Sequence, residues 1–257
     1  MTYCVAALVE EGIVFASDSR TSAGLDNIAT FSKMNVFETP GERVVVMLSS
    51  GNLATTQGVI ARLKMRARDA HGAAAPDGIL GVDKLFEAVQ LVGKTLREVV
   101  AEAAPVQQQG VDIGCHFILG GQIQKKRPRL FHIYPEGNFI EATQDTNYFQ
   151  IGEHKYGKPI MDRVVKYQVS LRAAAKAIIV SFDSTMRSNL TVGLPIDLLA
   201  YEKGSSRVTL KRRFGDGDRY FSQLSGIWSA GLRRAFGEVP EIEWGNEEKD
   251  GKRVEAR

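Results

Sequence analysis

Long apolar runs separated by short polar turns occupy the first fifty residues of the chain. Segment 2–9 is almost wholly apolar, and a second apolar run covers 13–17 after the turn at 10–12. Runs of this kind are typical of strands that are covered on both faces. The short turn between them predicts a β-hairpin, and a third apolar strand is predicted over 43–48.

The rest of the chain alternates between helical periodicity and further short apolar runs. Helices are predicted over about 53–70, 81–103, 171–187 and 219–236, and another begins near Pro159. Strands are predicted over about 112–119, 128–134, 138–142, 147–152, 195–202 and 206–212. This order is typical of an α+β protein in which two stacked sheets lie between layers of helices.

Composition narrows the possible partners. With 257 residues, 44% of them hydrophobic, the chain can bury a large core. The net charge of +3 is too small to suggest nucleic acid as a partner, and no basic stretch is interleaved with aromatic residues. No apolar run reaches the roughly 20 residues of a spanning helix, so no membrane partner is expected. The four histidines lack metal-ligand spacing, so we expect neither a metal nor a cofactor.

The cysteines indicate a compartment. Cys4 and Cys115 both fall in predicted buried strands, where they would act as small hydrophobic residues in a reducing environment. The N-terminus has no signal-peptide pattern. A cytoplasmic location is therefore expected.

Thr2 is the residue with the most chemical information, because removal of Met1 would make it the first residue. It would then carry a hydroxyl and a free α-amine, whose ordinary pKa of roughly 7.7–8.0 leaves a good fraction unprotonated near neutral pH. A base within reach is what a hydroxyl needs to become a nucleophile, and an N-terminal threonine supplies its own.

One further residue can be placed near Thr2, and two others along the chain have chemistry that a nucleophile could use. Asp18 follows the second strand, and in an antiparallel pair the end of one strand lies across from the start of the other. Lys33 follows Thr30-Phe31-Ser32, and a cation of this kind would favour the alkoxide form of a threonine hydroxyl close to it. Gly51 lies between a strand and a helix, where backbone N–H groups can form an oxyanion hole. The alternative interpretations are a surface ion pair and a plain turn.

Together these features resemble the proteasome β-subunit family, a branch of the N-terminal nucleophile hydrolases. Carried over by position, the resemblance implies Thr2 as nucleophile, Asp18 and Lys33 as its charged pair, and Gly51 as an oxyanion donor. More narrowly, MTYCV, ASDSRTSAGLDNI, IGEHKYGKPIMDR and SFDSTMRSNLTVGLPIDLL resemble the bacterial Anbu branch. The resemblance spans about residues 2–212 and implies a four-layer αββα sandwich.

Supporting positions depart from the main family pattern. The family's Gly-Ser-Gly serine is replaced by Glu153 or His154, although both could also belong to a solvated loop. In the later Arg-Asp-x-x-Ser pattern, Ser188 stands where an aspartate would, and Thr191 keeps the hydroxyl. Position in the family also implies the walls of a substrate pocket, namely Thr21, Phe31, Asn35, Ser49 and Leu53.

The resemblance implies a threonine peptidase that acts in a self-compartmentalised homo-oligomer, either a ring or a helical stack. Two alternatives stay open: an amidase for a small amide or γ-glutamyl-type substrate, and a catalytically silent assembly protein. We expect one hydrolase domain over 1–257. Within it, segment 216–257, with the aromatic stripe of helix 219–236 and Trp244, is expected to serve assembly.

Overall fold

The structure is a computed structural model that describes residues 2–22, 28–69, 71–103, 105 and 110–242. Met1, Trp244 and the predicted charged tail lie outside the described residues.

Twelve strands and five helices are named here in chain order within the described residues. The strands are β1 (Tyr3–Val9), β2 (Gly12–Asp18), β3 (Arg20–Ser22), β4 (Ile28–Thr30), β5 (Met34–Thr39), β6 (Arg43–Gly51), β7 (Cys115–Ile123), β8 (Arg129–Ile133), β9 (Phe139–Glu141), β10 (Tyr148–Gly152), β11 (Ile196–Glu202) and β12 (Leu210–Phe214). The helices are α1 (Leu53–Met65), α2 (Leu85–Glu102), α3 (Lys158–Val164), α4 (Leu171–Ser188) and α5 (Arg219–Gly237).

Two five-stranded antiparallel sheets form the centre of the fold. The first sheet has the order β10-β1-β2-β11-β12, and the second has the order β5-β6-β7-β8-β9. Strands β3 and β4 form a separate small hairpin. Because β1 lies between β2 and β10, both of its edges are paired and Tyr3–Val9 is held inside the sheet.

Three apolar clusters make the structure four layers deep. One cluster packs the second sheet against α1 and α2, and another packs the first sheet against α3 and α4. The third fills the space between the sheets, where Phe15 and Phe149 meet Ile118 and Leu130. The predicted αββα sandwich is therefore present.

Strand β1 shows why the opening run is apolar at nearly every position. Successive side chains of a strand point to opposite faces. Cys4 and Ala6 face the second sheet, whereas Val5 and Ala7 face the helices. Both faces are covered, so alternation with polar residues is absent.

Some predicted boundaries were wrong for identifiable reasons. Helix α1 ends at Met65 rather than near 70, because the Asp69 carboxylate accepts hydrogen bonds from the amides of His71 and Ala73 and closes a turn. Helix α2 begins at Leu85 rather than 81, because the Glu87 side chain accepts from the backbone amide of Lys84 and caps the helix.

Two strands also start later than predicted, and three were not predicted. Strand β7 begins at Cys115 instead of 112, because the Asp112 carboxylate bonds the Gly114 amide in a turn. Strand β12 begins at Leu210 instead of 206. Strands β3, β4 and β5 are short or only half-buried, so they lack the long apolar runs that mark the central strands.

None of the helices in the described part of the chain has both the length and the apolar character that a membrane crossing requires.

Candidate active site

The β1–β2 hairpin brings the start of the chain to Asp18. Cys4 pairs with Ser17, so Tyr3 stands opposite Asp18, and the Tyr3 amide donates to Asp18 Oδ1 at 3.0 Å. Thr2 precedes Tyr3 and is half-buried. The carboxylate thus lies beside the backbone of the residue that follows Thr2.

Lys33 reaches Asp18 from the other sheet. It immediately precedes β5, and its Nζ donates to Asp18 Oδ1 at 2.8 Å and to the Arg20 carbonyl at 2.6 Å. Lys33 is 6% exposed and Asp18 is fully buried. An ammonium group has three N–H donors, and these two bonds use two of them.

Burial dominates the electrostatics of Asp18. Loss of solvent is the largest cause that raises the pKa of the Asp18 carboxyl to about 6, while the Lys33 ammonium and the Tyr3 amide act in the opposite direction. Asp18 Oδ2 is buried and has no hydrogen-bond partner among the described residues. Above pH 6 the site therefore holds a buried carboxylate against a lysine side chain.

The turn from β6 into α1 requires glycine. Gly51 has a φ of +105°, and a Cβ there would lie 2.4 Å from the Gly114 carbonyl oxygen. Asn52 then caps α1 by accepting from the Thr55 amide. The turn places Leu53, the first residue of α1, on the same cavity as Thr2.

One cavity of about 410 Å³ joins these elements. Thr2, Lys33 and Gly51 line it. Every residue that the sequence analysis gave as a pocket wall also lines it, namely Thr21, Phe31, Asn35, Ser49 and Leu53. The structure thus brings eight of the twelve predicted site residues to one cavity, and Asp18 lies behind Lys33.

The far wall of this cavity was not predicted. Residues of α1 continue the lining beyond Leu53, namely Thr56, Gln57, Ile60, Ala61 and Lys64. They follow Leu53 in steps of three and four residues along the helix, and this is the signal that could have found them, because such positions share one face of a helix. None of the lining residues in the described part of the chain is acidic, whereas Lys33 and Lys64 are both basic.

The segment after β10 holds Thr2 from its other side. The Glu153 amide donates to the Thr2 carbonyl at 2.6 Å. Gly152 has a φ of +81°, and a Cβ on it would lie 2.0 Å from the same carbonyl oxygen. The Glu153 side chain is buried and accepts from Asn189 Nδ2 at 3.0 Å, whereas His154 is exposed. The solvated-loop interpretation is therefore wrong for Glu153.

The α4–β11 connection differs from the prediction by one residue. Ser188 is exposed, and no hydrogen bond in the described part of the chain joins it to Thr2, Glu153 or Thr191. Asn189 is the buried residue, and its Oδ1 accepts from Thr191 Oγ1 at 2.6 Å. Asn189 caps the end of α4, where the chain turns out of the helix, so the predicted position of Ser188 points to solvent.

The histidines form no metal site in the described part of the chain. His116 Nδ1 and His132 Nε2 lie 3.2 Å apart, and burial lowers the pKa of His132 to about 4. This contact between neighbouring strands could not be found from sequence spacing.

The fold and the site define a class of protein. A sandwich of two antiparallel sheets between helices, with a threonine at the start of a central strand beside a buried lysine–aspartate pair, is the N-terminal nucleophile hydrolase fold of the proteasome β-subunit type. Comparisons with protein-family models and with curated proteins gave no match.

Solved structures identify the family. The chain is 46% identical to Anbu, the ancestral β-subunit, from Yersinia bercovieri, with 95% of this chain and 100% of that chain covered and a TM-score of 0.87. For Anbu from Hyphomicrobium sp. strain MC1 the identity is 48%, with 95% and 100% covered and a TM-score of 0.84. For the helical assembly of the Anbu complex from Pseudomonas aeruginosa the identity is 45%, with 94% and 98% covered and a TM-score of 0.87. The chain belongs to the Anbu family.

The raised pKa of Asp18 gives a stability prediction. The folded carboxyl binds its proton near pH 6, whereas an unfolded aspartate does so near pH 3.9. The stability that this proton contributes is fully present below about pH 4 and is lost as pH rises through about 6. The free energy of unfolding of the wild type, minus that of Asp18→Asn, should therefore fall by on the order of 1–3 kcal/mol across that window.

Urea unfolding at intervals from pH 4 to 8 measures this difference. A difference that rises with pH would mean that the Lys33 contact outweighs burial and holds the pKa below its ordinary value.

Proposed function

We propose that this chain is a threonine-type N-terminal nucleophile hydrolase, a proteasome-like peptidase in which Thr2 attacks the peptide bond after loss of Met1. The observation that carries the proposal is the meeting of Thr2, Lys33 and Gly51 on one cavity, with Asp18 buried behind the lysine. Burying charges is costly, so the burial of the Lys33–Asp18 pair favours a functional role over that of an ordinary surface ion pair.

The reaction follows from these positions. The α-amine of Thr2 takes the hydroxyl proton, and Lys33 stabilises the alkoxide as it attacks the carbonyl carbon. The oxyanion of the tetrahedral intermediate accepts hydrogen bonds from N–H groups at the Gly51 turn. The leaving amine takes the proton from the α-amine, and an ester to Thr2 remains. Water, deprotonated by the same α-amine, then attacks the ester carbonyl. As the acid leaves, the ammonium returns that proton to the Thr2 oxygen and restores the hydroxyl.

The buried cysteines support the expected cytoplasmic location. Cys4 faces the space between the sheets, and Cys115 faces the helices that cover the second sheet. Both are unpaired.

Covalent labelling tests the role of Thr2. A peptide epoxyketone reacts with the hydroxyl and the α-amine of an N-terminal threonine, so the trimmed wild type should gain one adduct by intact mass. Thr2→Ala should gain none and should hydrolyse neither casein nor peptides, while its free energy of unfolding stays within about 0.5 kcal/mol because Thr2 is not a core residue. Retained Met1 in the wild type, or full activity of Thr2→Ala, would refute the mechanism and favour a silent assembly protein.

The test of Lys33 needs a control variant in which the charge of Asp18 is removed as well. Lys33→Met alone leaves the Asp18 carboxylate buried without its cation, which typically costs about 3–5 kcal/mol. The double variant Asp18→Asn/Lys33→Met removes both charges, so it should fold better than the single variant and still fail to label. A loss of only a few-fold in the folded double variant would make Lys33 a structural residue.

The cavity also supports a substrate preference. Phe31, Leu53 and Ile60 give it apolar walls, whereas its remaining lining is largely small and polar apart from Lys33 and Lys64. Small or medium apolar side chains before the scissile bond should be preferred, and basic ones should be the poorest because two lysines repel them. A peptide library, with γ-glutamyl amides as the amidase alternative and Thr2→Ala as the blank, measures this preference. Strong selection for acidic or basic residues would contradict it.

Assembly is the second part of the proposal. A relative from Pseudomonas aeruginosa forms a helical assembly. In this chain Phe221 is the buried residue of α5, whereas Ile227 is 65% exposed and Phe236 80% exposed. A groove of about 910 Å³ between α3, α4 and α5 has mostly apolar walls. We propose that segment 216–257 of a single hydrolase domain contacts a neighbouring copy through this surface, because exposed apolar faces of this extent need covering.

A point substitution tests the contact more sharply than truncation. Ile227→Glu places a charge in the groove and should reduce the particle size in light scattering without changing the circular dichroism. Ser222→Glu, exposed on the opposite side of α5, is the matched control and should leave the size unchanged. Deletion of 216–257 should act like Ile227→Glu. An Ile227→Glu protein of wild-type particle size would show that α5 is an added helix on the monomer surface.

A further inference from the structure

Two loops meet beside the Thr2 backbone. One follows β10 and carries Glu153, and the other follows α4 and carries Asn189 and Thr191. Asn189 joins the two loops. It is 9% exposed, and its side-chain amide forms hydrogen bonds with a residue of each loop.

The two ends of the Asn189 amide have different partners. Oδ1 accepts from the Thr191 amide at 3.0 Å and from the Thr191 hydroxyl at 2.6 Å. Nδ2 donates to Glu153 Oε2 at 3.0 Å. Only a group that accepts at one end and donates at the other can make these contacts, and a side-chain amide is such a group.

Glu153 connects Asn189 to the backbone of Thr2. Its carboxylate is anchored by Asn189 and, at Oε1, by the Lys155 amide at 3.3 Å. With the side chain fixed, the Glu153 amide nitrogen lies 2.6 Å from the Thr2 carbonyl oxygen. That carbonyl is on the same residue as the α-amine and the hydroxyl, so its position limits where both groups can point.

We propose that Asn189 is a positioning residue, which holds the Thr2 backbone through Glu153 and so orients the α-amine toward the threonine hydroxyl. The proposal rests on Thr2 being the nucleophile. It assigns the supporting role to the buried Asn189 rather than to the exposed Ser188, because Asn189 is the one of the two that is in the chain of hydrogen bonds ending at Thr2.

The polarity of this chain of hydrogen bonds gives a specific test. In Asn189→Asp, Thr191 can still donate to the new carboxylate, but two carboxylates then face each other at the 3.0 Å contact with Glu153. Like charges at that distance disfavour each other unless they share a proton. Adding Glu153→Gln restores the contact with donor and acceptor exchanged, because the amide introduced at position 153 can donate to the carboxylate introduced at position 189.

The experiment compares five trimmed proteins: wild type, Asn189→Ala, Asn189→Asp, the Glu153→Gln/Asn189→Asp double variant and Leu190→Ala. Leu190 is the matched control, since its side chain lies in the same loop and is 87% exposed. Two readouts are taken on each. One is the ¹³C methyl resonance of Thr2, followed over pH to report the titration of the α-amine without any turnover. The other is the rate of adduct formation with the peptide epoxyketone.

We expect Asn189→Ala to move the Thr2 resonance and its titration midpoint. Its maximal labelling rate should fall by about tenfold or more, with the half-saturating concentration changed by less than about threefold, because orientation rather than binding is lost. Asn189→Asp should be as slow at neutral pH, and its rate relative to the wild type at the same pH should recover as pH falls and the two carboxyls share a proton. The double variant and Leu190→Ala should stay within about threefold of the wild type.

Two results would overturn the proposal: a wild-type Thr2 resonance in Asn189→Ala, or a double variant as impaired as Asn189→Asp. Failure of the proposed function has a different signature. In that case the wild type forms no adduct, while the Thr2 resonance still moves in Asn189→Ala and returns in the double variant.

Discussion

The contact between Lys33 Nζ and Asp18 Oδ1 is the interaction on which the rest of the site depends. Removing two charges from water costs several kcal/mol per ion, and a separation of 2.8 Å offsets this only when further hydrogen bonds are made. Here the Tyr3 amide donates to the carboxylate, and the Arg20 carbonyl accepts from the ammonium. Charge pairing is thus supported by backbone groups on both sides.

The same contact joins the two sheets at one end. Asp18 is the last residue of β2 in the first sheet, and Lys33 precedes β5 in the second. The sandwich between them is apolar, so the ion pair lies at the edge of the inter-sheet core, where the ends of β2 and β6 and the starts of β1 and β7 come together. A site built from strand ends is held by the ladders behind it, which is more rigid than a site built on loops alone.

Much of this arrangement could be predicted from the sequence. Antiparallel pairing of two short apolar runs is enough to place Asp18 near Thr2, and the alternation of Cys4 and Val5 between two covered faces explains the apolar pattern. The strands β3 to β5 could not be predicted, because they are short or only half-buried and lack the apolar runs that mark the central strands. Asn189 was missed for a geometric reason. The family pattern, carried over by position, gave Ser188, and at the end of a helix a shift of one residue turns a side chain by about 100°, so the buried side chain is that of the next residue.

Thr2 is held between two buried acidic residues that act in different ways. On one side the Asp18 carboxylate accepts hydrogen bonds from the Tyr3 amide and the Lys33 ammonium. On the other side Glu153 bonds Thr2 through its backbone amide, while its carboxylate only anchors the loop. The titrations of the Asp18 carboxyl and of the Thr2 α-amine together define the pH range in which the proposed chemistry can operate. Asp18 is ionised above a pKa of about 6, and an α-amine with an ordinary pKa of roughly 7.7–8.0 becomes an effective base as pH approaches that value. The proposed hydrolase should therefore gain activity in two steps between slightly acidic and slightly alkaline pH, and the first of those steps is the ionisation of the buried Asp18.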